Sequence, residues 1–522
     1  MLVAMRASRW RGHLVLVGGL AAVFVPMAML RLVDGDEGTY LLVARRVMEG
    51  ALPFHDIFYP QMFLLPYLYG AWMEAVGYSW YAGRALSALL TVALGWLLHA
   101  EVRRLTGRTA LAWLAAASLA LNSLALGWFP LVKTYPAATL LLMAAVAALM
   151  RDGPAARPLL AGLLLGLAID IRLYLACLVP VFALHAALEA PPGAGARRAG
   201  RLGLGLGLGL APNALFIAID PGRWAFNIAG VHGIRSDWGY VGALGQKLHV
   251  VATLLGLAPI EPLVALQFVA LLVLNGGLLL AAVRAGRRPP LSLSLAAGLL
   301  AVGLGPTPTF VQYAVMAVPL LILNAVLFLA RLDEVLRPHH HPLAARAARA
   351  ALVAAGCGYA LVAPFEVHRY VASGADIQGM GMAPGPENWR IPVIRAVGRA
   401  LDAAAGPGGP PALSWWPGYF VETRTRILPR MENHFTVEFA RKLTPEQVVR
   451  YRFMTDAELE AAIRERAVPV VAVGNWLGYA ARARHRRQLA DAGYARVGAV
   501  ADTEIFRWPP APGPAAGALP GR

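Results

Sequence analysis

Long apolar runs recur along this chain at short intervals. Few features constrain a fold more, because about twenty apolar residues in a helix span the roughly 30 Å core of a bilayer. After an opening run from Leu14 to Leu30, candidate spans lie at 80–100, 109–129, 134–150, 158–171, 173–189, 202–219, 262–283, 291–305, 310–330 and 350–365. The expected fold class is therefore a polytopic α-helical membrane protein with about eleven transmembrane helices. A water-soluble chain of 522 residues rarely combines 58% hydrophobic with only 15% charged residues. Arg6, Arg9 and Arg11 precede the first run as they would in a secretory signal. The run is long and no small-x-small cleavage site follows, which favours a retained first helix.

Arginines set the orientation. Arg103, Arg104 and Arg108 form one cluster, followed by Arg151 and Arg157, then Arg197, Arg198 and Arg201, then Arg284, Arg287 and Arg288, then Arg331, Arg337, Arg346 and Arg349. They occupy every second connection, and basic residues in short connections stay in the cytoplasm. The alternate connections carry Asp34, Asp36, Glu37, Asp56, Asp220 and Asp237 and belong outside. An odd number of spans then exports the C-terminus. A net charge of +17 spread in this way lacks the clustered face of a nucleic-acid binder. Cys177 and Cys357 both fall in apolar segments, so they read as packing residues rather than a disulfide or zinc framework.

From about Glu366 the apolar runs stop, and short β-rich stretches, prolines and charges take over. This divides the chain into a membrane domain over 1–365, with a first external loop at 33–79, an extracytoplasmic α/β domain over 366–508, and a tail over 509–522 too poor in apolar residues to fold. In the second domain Ala412–Trp416 and Val468–Val473 are expected strands, and Ile391–Ala404, Asp456–Arg466 and Leu477–Asp491 expected helices.

Several motifs have a plainer reading beside the chemical one. The alternation LGLGLGLGL at Leu202–Leu210 lacks nucleotide-loop spacing and fits close helix packing through Gly203/Gly207 and Gly205/Gly209. His339, His340 and His341 have no acidic or cysteine partner nearby and read as a solvated loop rather than a metal site. In SWWPGYFVE and MENHF, Trp415, Trp416 and Tyr419 are either sugar-stacking faces or core residues. Glu422, Glu432, Asn433 and His434 are either sugar contacts or a solvated turn.

The informative stretch is the first external loop. Asp36 and Glu37 follow directly on a membrane helix, where carboxylates stay ionised without the cost of the bilayer centre. Apolar residues at helical spacing follow, including Leu41, Leu42, Val43 and Val47, with Arg45 and Arg46 opposite, as in a helix lying along the membrane surface. Then come Gly50-Ala51-Leu52-Pro53, Asp56 and Tyr59-Pro60-Gln61. In this order and place the loop resembles that of the GT-C glycosyltransferases, in the branch of the protein O-mannosyltransferases and lipid A aminoarabinose transferases. The many-span body and exported domain match too.

The resemblance implies an integral-membrane, inverting glycosyltransferase of a bacterial plasma membrane. It would move a sugar from a polyprenyl-phosphate carrier to a protein, lipid or glycan hydroxyl outside the cell. Catalytic roles would fall on Asp36, the best-placed base with Asp34 its nearest rival, and on Glu37. Substrate contacts would come from Asp34, Tyr40, Asp56, Tyr59, Gln61, Arg84, Lys133, Arg172 and Tyr313. A carboxylate makes a hydroxyl nucleophilic by accepting its proton, and cations at external helix ends stabilise a departing phosphate. Arg84, Lys133 and Arg172 also fit interfacial anchors, and Asp36 also fits a helix cap. Relatives often carry a basic residue before a Pro-Pro pair where this chain has Tyr59-Pro60-Gln61, and Arg-Tyr where it has Gln312-Tyr313. The donor would be the lipid-linked sugar itself. An Asp-Glu pair does not establish a divalent metal, which stays open as a cofactor. A transporter or flippase of lipid-linked sugars is the alternative, but it would show paired halves with midplane charges, and these are not evident.

Overall fold

The structure, a computed structural model, describes residues 2–151, 156–258, 262–336, 342–374 and 385–508. The histidine run 339–341 and the tail 509–522 lie outside them.

Among the described residues five helices are long and apolar enough to cross a membrane: Trp10–Leu30, Trp80–Thr106, Val264–Arg284, Val311–Leu332 and Ala350–Ser373. A sixth crossing is broken, with Gly195–Leu210 and Asn213–Ile219 meeting at 53° where Pro212 interrupts the backbone ladder. Further apolar helices at Thr109–Ala120, Thr134–Leu149, Ala156–Ile169, Leu173–Leu188 and Leu291–Gly303 have fewer than eighteen residues. At 1.5 Å per residue these fall short of the bilayer core. Among the described residues, then, six spans at most have the full length, and the rest of the expected eleven fall on shorter segments. The run 109–129, for example, divides at Asn122, whose side chain caps the next helix by accepting from Ala125 N.

Glycine packing takes half of its expected form. A Cβ on Gly205 or Gly209 would overlap the Leu159–Gly166 backbone, whereas Gly203 and Gly207 face open space. Only one stripe of the alternation is a contact. Cys177 and Cys357 are exposed on the bundle rather than packed inside it.

The soluble domain carries a four-stranded sheet, β1 (Leu413–Ser414), β2 (Val470–Val473), β3 (Ala495–Val500) and β4 (Thr503–Arg507), in the order β1-β2-β4-β3. β1 runs parallel to β2, and the other pairs are antiparallel. Helices Ile391–Ala405, Asp456–Arg464 and Tyr479–Asp491 fall close to their expected positions. The last long helix continues through His368 and a π turn to Ser373, so the composition change at Glu366 precedes the structural boundary.

This domain sits directly on the first loop, whose helix Gly35–Met48 is clasped from above. Trp416 Nε1 donates to Gly35 O at 2.8 Å, and Trp416 stacks on Trp80, 5.9 Å between ring centroids. A Cβ on Gly38 would collide with the Gly418 backbone, so the two segments approach as only glycine allows. Trp415, Trp416 and Tyr419 are buried, and Glu422 accepts from Trp80 N and Arg395. The SWWPGYFVE segment is therefore interface and core, not an open sugar-stacking surface.

Candidate functional site

Two adjacent carboxylates in the first loop have opposite environments. Asp34 caps helix Gly35–Met48 by accepting from Asp36 N at 3.0 Å, while Glu37 accepts from Asp34 N at 2.8 Å, a capping box. Glu37 also accepts from Arg84 Nε at 2.9 Å, Arg84 Nη2 at 2.7 Å and Val132 N at 3.0 Å, with no solvent exposure. Arg84 spends its other donors on the carbonyls of Ala28, Arg31 and Leu32, the unpaired end of the first helix. This pair locks the loop to two spans. Glu37, expected as a catalytic group, and Arg84, expected as a substrate contact, are both fully buried and hydrogen-bonded, and neither lines the cavity at Asp36.

Asp36 points the other way. One turn of the same helix carries Tyr40, and both line a cavity of 540 Å³ together with Gln61, Lys133, Tyr135, Arg172, Tyr174, His232, Arg235, Phe310 and Tyr313. Lys133, the residue before helix Thr134–Leu149, bridges Asp34 Oδ1 at 2.6 Å and Asp36 Oδ2 at 2.8 Å. Burial draws the Asp36 carboxyl upward, but Lys133 and then His434 outweigh it and hold it below the usual carboxylate range. About a third of the side chain stays open to the cavity (35%), leaving an ionised oxygen within reach of a ligand.

Arg172 sits among three rings, its guanidinium 5.2 Å from Tyr135, 4.7 Å from Tyr174 and 5.2 Å from Tyr313, and donates to Thr134 Oγ1 at 3.0 Å. Its buried Nε has no hydrogen-bond partner. A cation held in this way is pre-positioned rather than snorkelling. Beyond Phe310 and Tyr313 lies a second cavity of 260 Å³, walled by Val250, Leu254, Phe268, Leu272, Leu300 and Ala314. The polar chamber thus opens onto an apolar one across two shared aromatic residues.

The structure brings Asp36, Tyr40, Gln61, Lys133, Arg172 and Tyr313 together at this cavity. It does not bring the others. Asp34 is a cap, Asp56 accepts from Leu52 N at 2.9 Å and pairs with His55 at 3.0 Å in a local turn, and Tyr59 is fully buried with its hydroxyl unpartnered. Sequence reasoning missed His232 and Arg235, in the 3-10 turn Gly230–Ile234 and just after it. The available signal was a basic pair close to Asp237, in a connection that the sequence marked by its acidic residues Asp220 and Asp237. His434 carried a signal in MENHF, but a solvated turn was the competing reading, and the histidine is buried against Asp36 instead. Among the described residues no group of three or more His, Cys, Asp or Glu side chains is placed to hold a metal ion.

Helices long and apolar enough to cross a membrane, a long loop after the first of them whose helix bears an acidic pair, and a domain seated on that loop define the class as an integral membrane protein. The chain overlays on the crystal structure of ArnT from Cupriavidus metallidurans bound to undecaprenyl phosphate, with a TM-score of 0.65 and 12% identity, over 96% of this chain and 98% of that one. The apo form of the same ArnT gives 0.64 and 13% over the same shares. At such identity the likeness is one of fold. No family model matches the sequence, and no curated protein matches it.

Proposed function

We propose that the protein is an inverting glycosyltransferase that takes a sugar from a polyprenyl phosphate and passes it to an acceptor hydroxyl. The observation that carries this is the cavity at Asp36, where an ionised carboxylate faces Lys133, Arg172 and Arg235 and an apolar chamber continues beyond Phe310 and Tyr313. A lipid-linked sugar phosphate has the matching layout: a polar headgroup, an anion and a hydrocarbon tail. The structure of ArnT with undecaprenyl phosphate supports a carrier of that class.

In the proposed reaction Asp36 accepts the acceptor's hydroxyl proton as that oxygen bonds to the sugar's anomeric carbon. The bond from that carbon to the phosphate oxygen breaks, and its electron pair leaves with the lipid phosphate. Lys133 and Arg172 meet the charge developing there. Asp36 is the one carboxylate lining the cavity among the described residues. A single displacement, with inversion, fits one base and no second carboxylate to form a covalent intermediate. The reaction belongs on the outer face of a bacterial plasma membrane, with the C-terminal domain outside.

Purified protein incubated with a panel of polyprenyl-phosphate sugars tests the reading. Consumption of at least one donor, with lipid phosphate and an inverted glycoside as products, is expected. Inertness toward all of them, with lipid-linked sugar carried across vesicle membranes instead, would establish a flippase.

A further inference from the structure

A second, smaller compartment of 40 Å³ meets the large cavity at Asp36, Tyr40, Gln61, His232 and Arg235, and is closed on its other side by Asn433, His434, Phe435 and Phe439 of the soluble domain. It is large enough for a hydroxyl or hydroxymethyl group but not for a sugar ring. Its wall holds an incomplete hydrogen bond. The His434 side chain is 1% exposed, and its Nε2 lies 3.4 Å from Asp36 Oδ1, beyond normal hydrogen-bond length, with no partner.

The neighbours indicate where its proton is. His434 Nδ1 is 3.0 Å from Thr39 Oγ1. The Gly35 carbonyl, one turn back from Thr39, already accepts from Trp416 Nε1. In the proposed arrangement the Thr39 hydroxyl donates to Nδ1, which places the ring proton on Nε2, facing the Asp36 carboxylate. Trp476, 3.9 Å between ring centroids, and Phe435, at 4.2 Å, hold the imidazole in place.

We propose that this compartment is the acceptor subsite and that His434 is its recognition group, with Nε2–H donating to the oxygen of an alcohol whose own proton points at Asp36. A hydroxyl there completes both bonds: it accepts from the histidine and donates to the carboxylate. The lone pair left over is the nucleophile. The 40 Å³ of space suits a hydroxyl on a slim stem such as a hydroxymethyl arm. This rests on the glycosyltransferase reading and adds that the soluble domain supplies the acceptor half of the site.

The test uses the full-length protein, the polyprenyl-phosphate sugar that the wild type consumes fastest, and methanol as surrogate acceptor. His434→Ala is expected to lower kcat/KM for methanol about 3- to 10-fold, the worth of one neutral hydrogen bond, while donor Kd stays constant. His434→Gln, whose amide nitrogen reaches the position of Nε2, should restore most of the loss. An unchanged kcat/KM in His434→Ala overturns the inference. So does a loss matched by weaker donor binding and not restored by glutamine, which marks a structural residue. A wild type inert toward every donor overturns the glycosyltransferase reading itself and this subsite with it, an outcome distinct from an active wild type equalled by its variant.

Discussion

Asp36 and Glu37 are neighbours in sequence, and isosteric amides at the two positions are predicted to fail in opposite ways. The Glu37 carboxylate receives four hydrogen bonds, two of them from Arg84, at zero exposure. Glu37→Gln leaves the Arg84 guanidinium as an uncompensated buried charge, a loss of about 3–5 kcal/mol. Asp36 is partly open, and when it becomes Asn, Lys133 keeps its 2.6 Å bond to Asp34. The stability change there should stay within about 1 kcal/mol. Its effect on the chemical step is the reverse, about 10²–10⁴ in rate, or roughly 3–5.5 kcal/mol on the barrier. Denaturant unfolding in detergent measures the first quantity, and single-turnover release of lipid phosphate from bound donor measures the second. If Asp36→Asn unfolded as readily as Glu37→Gln while each folded molecule kept full turnover, Asp36 would be a structural cap and the assignment of the base would be refuted.

Three further outcomes follow from the same geometry. Asp36 must be ionised to act, and Lys133 holds its carboxyl low, so the acid limb of kcat/KM should lie below the usual carboxylate range; Lys133→Met should move that limb to higher pH and weaken polyprenyl-phosphate binding about tenfold or more, both read from pH–rate profiles and lipid-phosphate titration. Gly205→Val should destabilise by about 1–3 kcal/mol because the added carbons meet the Leu159 carbonyl, whereas Gly203→Ala, facing open space, should be neutral or mildly stabilising in thermal unfolding. Single cysteines placed at Gly50 and at Gly408 should react with an impermeant thiol reagent from the same side of the membrane, since the first loop and the soluble domain touch at Gly35, Gly38 and Thr39.

What the sequence revealed, and where it misled, follows from how local each signal is. The surface helix expected around Leu41–Val47 runs from Gly35 to Met48, because capping and apolar spacing are written within a few residues. Lys133 and Arg172 were legible as cations at helix ends. Arg84 carried the same local signature yet is locked inside, and the difference is Glu37, 47 residues away, which no helix-end rule detects. The soluble strand β3 went unread because it is largely exposed on both faces and lacks the apolar alternation of a half-buried strand, and β4 because only Ile505 and Phe506 of its five residues are apolar. Length misled in the membrane domain. Apolar content is a property of a segment, whereas a break at Asn122 or Pro212 depends on which neighbour takes up the freed backbone groups.

The contact between Thr39 and His434 joins residues 395 positions apart, which gives the site an order of arrival. The base and the cationic wall leave the ribosome early, with the first few membrane segments. The histidine follows only after the rest of the membrane domain and much of the soluble domain have been made. At about 5–20 residues per second that interval is roughly 20–80 s. During it a nascent chain carries the Asp36 carboxylate without the soluble-domain residues that wall the compartment beside it. On the proposed reading, completion of synthesis supplies the acceptor half of the site: a chain cut short before residue 434 carries the donor-facing carboxylate without the histidine proposed to receive the acceptor.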